Sequence, residues 1–278
     1  MTALADASTL FSPKRPRSNR PFPYAFLPWD MRASGVPADG ADPDLVKKAV
    51  EGGVCAKRLS ASLRDSPAAL QNLGLACGGV LTNAAALLFA ESCRPLVTCR
   101  AYDSPYRDVL VDGCDCAGPL DGACGKACAF SLQNAHVAFG SGRAGDSVYA
   151  GLVSSVLREA VVNALIHRDY LYFAPVRIDV LPGCIEISNP GMLPSGVLPA
   201  PGRPHRLSSP MRYAEYVLGR APSPRNALLV QLLYRFGVVD GKGAGMARIV
   251  AACGLCGLEA RWRSGDGRVT LSILDPAR

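Results

Sequence analysis

The hydrophobic and polar residues of the stretch REAVVNALIHRDY follow the period of an α-helix. Residues four apart lie on one face of a helix, so Glu159, Asn163 and His167 form one polar stripe. The opposite face is apolar and carries Leu157, Val161, Ala164 and Leu165. This spacing predicts a long helix over about 148–168, which we call the stripe helix.

A second pattern, alternation of apolar and polar residues, follows the stripe helix. The stretch VRIDVLPGCIEISNPG alternates on both sides of Pro182 and Gly183, which predicts a β-hairpin. The stretches PLVTCRAYD and RVTLSIL predict two further strands, and RNALLVQLLYRFG and GKGAGMARIVAACGL predict two further helices. Helices and strands that are mixed along the chain in this way predict the α/β (α+β) class.

The chain divides into three predicted segments. Residues 1–40 are rich in Pro, Ser and Arg and predict an irregular arm. Residues 41–140 predict a small α+β domain, whose first helix is capped by Asp42. Residues 148–278 predict a second α/β domain, and within it the Pro-, Gly- and Arg-rich segment 192–223 predicts a long functional loop.

Composition and charge narrow the class of protein. The chain has 278 residues, 49% of them hydrophobic, which is enough for large buried cores. Its formal net charge of +7 permits contact with nucleic acid or with nucleotide phosphate without requiring it. Part of that charge lies in KRPRSNR near the start, where a solvated arm is the simpler interpretation.

No stretch of the sequence predicts export or a membrane span. The start of the chain lacks the apolar run and the cleavage site of a signal peptide. The most apolar stretch, LGLACGGVLTNAAALLFA, is interrupted by Gly78 and Gly79, and Thr82 or Asn83 is suited to cap a short buried helix there. We therefore expect a cytoplasmic protein without membrane contact, whose eleven cysteines are reduced thiols.

The cysteine spacings admit two interpretations, structural zinc or buried thiols. Six cysteines have spacings that resemble those of metal sites, namely Cys114, Cys116, Cys124, Cys128, Cys253 and Cys256. Zinc sites usually combine two CxxC pairs, whereas the densest cluster here combines C-x-C with a C-x3-C of helical spacing. The spacing therefore favours small buried thiols.

The stripe helix carries the most suggestive chemistry. A glutamate can act as a base, an asparagine can offer an oxygen to a hard cation, and a histidine can contact an anion. A carboxylate, an amide and an imidazole in one row, between aliphatic residues, suit a half-buried site. The alternative is a helix whose polar side packs beneath a loop, and the spacing alone favours neither.

Two glycine-containing turns could bind a ligand. GKGAGMARI places Gly241, Gly243 and Gly245 at the start of a helix, where backbone amides bind anions, although glycines also simply end loops. SNPG places Asn189 and Gly191 after a strand, where they could contact a flat ligand or form an ordinary turn. The chain has no G-x-x-x-x-G-K-[ST] loop, so a P-loop helicase or kinase is not expected.

Taken in order, four of these motifs resemble one known family. REAVVNALIHRDY, IEISNPGMLP, PRNALLVQLLYRFGVVD and GKGAGMARIV together resemble the C-terminal ATPase-like domain of the RecG-like transcriptional regulators. These are distant members of the GHKL superfamily, which includes gyrase and histidine kinases. The resemblance covers about 50–278 and implies a two-layer α/β sandwich with a mixed sheet, preceded by a smaller α+β unit.

The resemblance also implies a site for ATP and Mg²⁺ between the stripe helix and the glycine turn. Carried over residue by residue, Glu159 is the expected general base and Asn163 the expected Mg²⁺ ligand. The other expected cofactor-binding residues are His167, Asn189, Gly191, Arg225, Asn226, Gly243 and Gly245. Oxygen ligands on one helix face agree with the preference of magnesium.

The function implied is a nucleotide-binding regulatory module of a transcriptional regulator. Asn189 stands where active superfamily members carry an aspartate, and Leu193 where they carry a second glycine, so we expect slow ATP hydrolysis or none. Relatives usually carry an N-terminal Schlafen/AlbA-type DNA-binding domain, which we do not find here, so DNA contact is expected directly or through a partner subunit. A homodimer is compatible with the sequence. The alternative is a degenerate DNA- or protein-interaction module that binds no nucleotide, which the basic loop residues Arg203, Arg206 and Arg212 favour.

Overall fold

The computed structural model of the chain describes residues 27–64, 68–140, 147–192, 224–241 and 243–277, and describes their side chains except at 147–149. The α-helices are α1 (Pro43–Cys55), α2 (Ala69–Asn72), α3 (Asn83–Phe89), α4 (Leu120–Gln133), α5 (Ala135–Phe139), α6 (Ser147–His167), α7 (Ala227–Arg235) and α8 (Gly245–Leu255). The strands are β1 (Ala33–Pro37), β2 (Ala76–Cys77), β3 (Val80–Thr82), β4 (Val97–Tyr102), β5 (Leu110–Cys116), β6 (Val176–Leu181), β7 (Cys184–Pro190), β8 (Glu259–Gly265) and β9 (Arg268–Leu274). Single 3-10 turns cover Trp29–Met31, Ala38–Gly40 and Ala61–Leu63.

Local chemistry explains where several helices begin. The Asp42 carboxylate accepts hydrogen bonds from the first backbone amides of α1, and the Thr82 hydroxyl does the same for α3. The predicted stripe helix is α6, which runs for 21 residues. The helix α2 is a single turn, because Gly74, two residues after its end, adopts a φ of +72°.

A six-stranded mixed sheet in the order β5-β4-β6-β7-β9-β8 organises most of the chain. Strands β4 and β6 pair in parallel, and the other neighbours pair in antiparallel. A smaller three-stranded sheet, β1-β3-β2, lies with α1 and α3 in the N-terminal part. This architecture confirms the predicted α/β (α+β) class, with a two-layer sandwich and a mixed sheet.

Helices α4, α5, α6 and α8 pack on one face of the six-stranded sheet. Residues that alternate along the central strands, such as Val176, Ile178 and Val180, are fully buried against α4, α5 and α6. The other face, which we call the open face, carries charged and hydroxyl side chains in the alternate positions, such as Arg177 and Ser188. Two faces of opposite character are expected for a sheet that packs helices on one side only.

The large sheet takes strands from both parts of the predicted division. Strands β4 and β5 lie in the predicted segment 41–140, and β6 to β9 lie in the segment 148–278, yet all six form one sheet. The predicted arm 1–40 contains strand β1, and its residues 1–26 lie outside the described residues. The division into domains therefore stays a prediction, and its boundary runs through a continuous sheet.

All eleven cysteines are free thiols. Cys114 and Cys116 lie on β5, and Cys124 and Cys128 lie on the helix α4. Within the described ranges, no group of three or more His, Cys, Asp or Glu side chains is placed to hold a metal ion. In the same ranges, no helix is both long enough and apolar enough to cross a membrane.

Candidate functional site

The polar stripe of α6 lies against the start of α8. Glu159 and Asn163 are half-buried there, while the aliphatic residues between them are buried. The helix α8 begins at Gly245 and packs along α6. The structure thus brings two members of the predicted stripe to the predicted glycine turn.

Gly245 makes the closest approach in this site. A Cβ atom at Gly245 would lie 2.5 Å from Nδ2 of Asn163 and 2.7 Å from Oε1 of Glu159. At these distances any larger residue would displace the ends of the two side chains, so glycine lets the helix start approach both groups as they stand. The backbone of the helix N-terminus therefore lies directly on the carboxylate and the amide, in the position where a helix binds anions.

Asn163 carries an unsatisfied polar atom in this contact. Its Nδ2 is buried and has no hydrogen-bond partner among the described residues. A buried amide group without a partner costs roughly 1–3 kcal/mol, so such groups usually have one. A polar ligand bound between α6 and α8 could therefore supply the hydrogen-bond partner that this amide lacks.

Glu159 is held by a cation from α8. Its Oε1 accepts a hydrogen bond of 2.7 Å from Nη2 of Arg248, and Nη1 of Arg248 bonds the carboxylate of Asp240. The carboxylates of Glu159 and Asp240 raise the pKa of Arg248, because the hydrogen bond and the charge of Glu159 outweigh desolvation. Glu159 is therefore oriented by Arg248 and faces the glycine turn.

His167 ends the stripe at the last residue of α6. The residue as a whole is exposed. Desolvation of the ring by the surrounding protein, and the positive charge of Arg225, lower the pKa of His167 below its usual value. The imidazole is therefore neutral over more of the physiological pH range than a free histidine. Within the described residues the ring forms no hydrogen bond, and the backbone oxygen of His167 accepts one of 3.2 Å from Arg225.

Arg225 and Asn226 both bind the C-terminal end of α6. Asn226 is almost fully buried, and its Nδ2 donates to the backbone oxygens of Ile166 at 2.7 Å and Arg168 at 2.9 Å. Arg225 donates to the backbone oxygen of Met192 at 3.0 Å as well as to that of His167. Their described partners are protein groups, and the predicted contact of this pair with a nucleotide stays a prediction.

Asn189 and Gly191 end the hairpin near this pair. The strand β7 continues through Asn189 and Pro190 instead of ending before them, and the buried Asn189 pairs with Val269 of β9. Gly191 has a φ of +110°, and a Cβ atom there would overlap the guanidinium of Arg225. Glycine is therefore required for the close packing of Arg225, and nucleotide contact by either residue stays a prediction.

Gly243 lies in the turn before α8 with a φ of +67°, next to Gly241 with a φ of +71°. Left-handed backbone of this kind favours glycine. Lys242, between them, and the segment 193–223 with Arg203, Arg206 and Arg212 lie outside the described residues. The expected role of this turn at a phosphate also stays a prediction.

Sequence reasoning missed Arg248 and Asp240 as partners of Glu159. A signal for Arg248 does exist, since it follows Gly245 by three residues on α8 and so shares its helix face. No pattern identifies Asp240, because its contact depends on the path of the turn. Arg168 was also missed: it is buried, and its Nε and Nη1 have no hydrogen-bond partner among the described residues, while its guanidinium lies over the Tyr170 ring.

Comparisons with known proteins agree with this fold. Residues 174–273 match the family described as "Putative ATP-dependent DNA helicase recG C-terminal". This match supports an ATPase-type, RecG-related C-terminal domain from β6 to β9, and α6 lies before its first residue. No curated protein matches the chain.

Among solved structures, the DIP2311 protein has a similar fold. The crystal structure of the DIP2311 protein from Corynebacterium diphtheriae is similar with a TM-score of 0.62 and 18% sequence identity. The similarity covers 89% of this chain and 40% of that protein, so this chain spans less than half of its length. At this identity the similarity shows a common fold.

Proposed function

We propose that this chain is a regulatory module that binds ATP with Mg²⁺ between α6 and α8 and hydrolyses it slowly or not at all. The observation that carries the proposal is the contact of Gly245 with Glu159 and Asn163. It places a helix N-terminus, a carboxylate and an unsatisfied amide at one point. These three groups are what a nucleotide phosphate and its cation require.

The residues present fit a Mg²⁺ ion at Asn163. The side-chain amide lacks a hydrogen-bond partner, and a rotation about its last bond presents its oxygen in place of its nitrogen. An amide oxygen is a hard ligand of the kind that Mg²⁺ binds, with phosphate oxygens and waters as further ligands. When bound, the ion would neutralise phosphate charge.

The other residues of the site would bind and orient. The amides at the start of α8 would hold phosphate oxygens, and the carboxylate of Glu159 would accept a proton from a water molecule. Arg248 holds that carboxylate through a hydrogen bond of 2.7 Å. The ion pair with Arg248 occupies that carboxylate, which supports slow hydrolysis or none.

A thermal melting experiment tests the proposal. The wild type and Asn163→Ala are melted with and without Mg·ATP, and a further arm contains ATP with EDTA. A ligand at about a hundred times its Kd adds roughly 2.7 kcal/mol, which raises the Tm of a chain of this size by roughly 5 °C. We expect this shift in the wild type with Mg²⁺ only, and an equal shift in Asn163→Ala would contradict the site.

A second candidate function is an interaction module without nucleotide. The ion pair of Arg248 with Glu159 favours it, because Glu159 already has a partner. That candidate predicts no Tm shift with Mg·ATP and a DNA affinity that falls steeply with salt. A role in transcription, contact with DNA directly or through a partner subunit, a homodimer and a cytoplasmic location belong to the proposal, and size-exclusion chromatography with light scattering tests the homodimer.

A further inference from the structure

The open face of the six-stranded sheet contains a cavity of about 340 Å³. Ligand sites of small molecules begin at about this volume. The cavity lies on the face that the helices leave free, so the core separates it from the contact of α6 with α8. It is therefore a second place where the molecule could bind a ligand.

A row of polar side chains crosses the floor of this cavity. Arg177 of β6 pairs with Ser188 of β7, Ser188 with Thr270 of β9, and Thr270 with Arg263 of β8. Directly paired residues of neighbouring strands point to the same face, so these four side chains stand in line. Two hydroxyl groups thus lie between two guanidinium groups, roughly 14 Å apart at their backbones as three strand spacings dictate.

The carboxylates of the cavity are neutralised at one end. Asp179 accepts hydrogen bonds from Arg177 at 2.8 Å and from Arg107 at 3.0 Å. Glu186 accepts one of 2.6 Å from the same Arg107, which reaches over the sheet from the turn between β4 and β5. These four side chains form a closed network without unbalanced charge at this end.

Two further guanidinium groups of the cavity, those of Arg263 and Arg268, have no carboxylate hydrogen-bond partner in the described part of the chain. Arg263 is exposed and forms no hydrogen bond there. Arg268 donates only to neutral oxygens, to Oγ of Ser188 at 3.2 Å and to the backbone oxygens of Pro175 and Ser188 at 3.3 and 3.4 Å. Burial and the nearby charge of Arg177 lower the pKa of Arg268, and the charge of Asp179 opposes them only in part.

The hydroxyl groups can complete an anion site. Oγ of Ser188 accepts from Arg268, so its own hydrogen is free to donate to a ligand. Thr270 is nearly buried, and its hydroxyl has no hydrogen-bond partner in the described ranges. Two guanidinium groups and two hydroxyl groups that line one cavity suit a tetrahedral oxyanion.

We propose that Arg263, Arg268, Ser188 and Thr270 bind the phosphate group of a small anionic ligand on the open face of the sheet. The charges elsewhere on this face favour a compact anion over a nucleic-acid strand. Arg100 is paired with Asp115, and Arg261 with Glu259, so among the described residues of this face the guanidinium groups without a carboxylate partner are those of Arg263 and Arg268. A strand of nucleic acid would instead be bound by a basic groove that follows its backbone.

Isothermal titration calorimetry with inorganic phosphate, at ionic strength held constant with potassium chloride, tests the proposal. Arg263→Gln removes a guanidinium that supports no described contact, and Thr270→Val removes one hydroxyl at nearly constant volume. Arg261→Gln is the matched control, because it removes the same charge from the same strand outside the cavity. We expect about tenfold weaker phosphate binding in Arg263→Gln, weaker binding in Thr270→Val and unchanged binding in Arg261→Gln.

Four outcomes would overturn the proposal. If inorganic phosphate does not bind the wild type, the open face is not a phosphate site. Equal losses of affinity in Arg263→Gln and Arg261→Gln would show a general effect of charge. A loss in Asn163→Ala alone would place the phosphate between α6 and α8, which separates this test from that of the nucleotide site. In a parallel titration, a fifteen-residue thymidine oligonucleotide that binds through Arg263 while inorganic phosphate does not would assign the face to nucleic acid.

Discussion

At the scale of single residues, Asn226 shows how one side chain ends a helix in another part of the chain. It lies at the position before α7, where an asparagine often caps its own helix. Its amide instead donates to the backbone oxygens of Ile166 and Arg168 at the end of α6. The last carbonyls of α6, which have no partner within the helix, are satisfied in this way.

Replacing Asn226 with alanine should destabilise the fold. The change leaves two backbone oxygens without their donor in a buried place, which costs about 1–3 kcal/mol of the free energy of unfolding. Urea denaturation followed by circular dichroism measures the loss. Asn226→Asp keeps the shape but puts a carboxylate beside two carbonyl oxygens, so it should cost at least as much. A loss below roughly 0.5 kcal/mol in both variants would mean that water replaces the amide.

Two glycines of α8 give a matched pair of substitutions. Gly245→Ala places a methyl group 2.5 Å from the amide of Asn163, which should cost about 1–3 kcal/mol of stability and abolish the Tm shift with Mg·ATP. Gly254→Ala meets nothing within 4 Å in the same helix and should stabilise by roughly 0.5–1 kcal/mol. Thermal melting of both variants with and without Mg·ATP checks this. An intact shift in Gly245→Ala would separate nucleotide binding from this contact.

At the scale of elements, α7 takes its N-terminal cap from a residue distant in sequence. Asp30, in the turn Trp29–Met31, is fully buried, and its Oδ2 accepts from the backbone amide of Leu229 at 3.1 Å. The side chain of Asn226 points to α6, so Asp30 supplies the acceptor that α7 would otherwise lack. Desolvation raises the pKa of Asp30, although backbone amides of α7 partly oppose it.

This burial predicts a pH dependence of stability. Because the pKa of Asp30 is raised in the folded state, its protonated form is favoured there, and that contribution is lost as the pH rises through the folded pKa. The free energy of unfolding of the wild type should therefore fall relative to Asp30→Asn as the pH rises from about 4, the unfolded value. Urea denaturation between pH 4 and pH 7 measures the difference. If the free energies of unfolding of the wild type and Asp30→Asn change in parallel with pH, Asp30 is not desolvated as described. Asp30→Ala, which removes the hydrogen-bond acceptor, should be less stable than Asp30→Asn at every pH.

The elements that the sequence predicts are those with a periodic pattern of apolar and polar residues. The periodic α6 and the alternating β6, β7 and β9 are long enough to show their period. Strands β1, β2 and β3 have five, two and three residues, which is too short for a periodic signal, and β5 begins with exposed apolar residues at a sheet edge. Strand β8 was missed although Ala260 and Trp262 alternate with Arg261 and Arg263.

The site shows the same limit of sequence reasoning. Helical spacing places Glu159 and Asn163 on one face, and a glycine turn suggests close approach, so their meeting at Gly245 is predictable. The partners Arg248, Asp240 and Asn226 depend on how distant segments cross. The periodicity of a local sequence segment does not predict which distant segments lie beside it in the fold.

At the scale of the whole molecule, the six-stranded sheet joins the two predicted segments. Strand β6 pairs on one side with β4, over five residues from Val97 to Ala101, and on the other side with β7. The helix α4 packs on β4, β5 and β6 and against α6. The part of the sheet that carries Asn189 and the helix that carries Asn163 therefore share a core with the segment before residue 140.

A fragment of residues 147–278 should not fold by itself. Without β4 and α4, the backbone of β6 becomes an unpaired edge, and Val176, Ile178 and Val180, which are fully buried in the whole chain, lose part of their cover. Exposed apolar edges of this kind associate with other chains. We expect the 147–278 fragment to aggregate, to show no cooperative transition in urea and not to respond to Mg·ATP. The control is a chain of residues 27–278, which keeps every described strand and should unfold cooperatively. Dispersed amide signals in the nuclear magnetic resonance spectrum of the 147–278 fragment would show that the boundary predicted at 140–148 separates independent domains, and that the shared sheet forms between two units already folded.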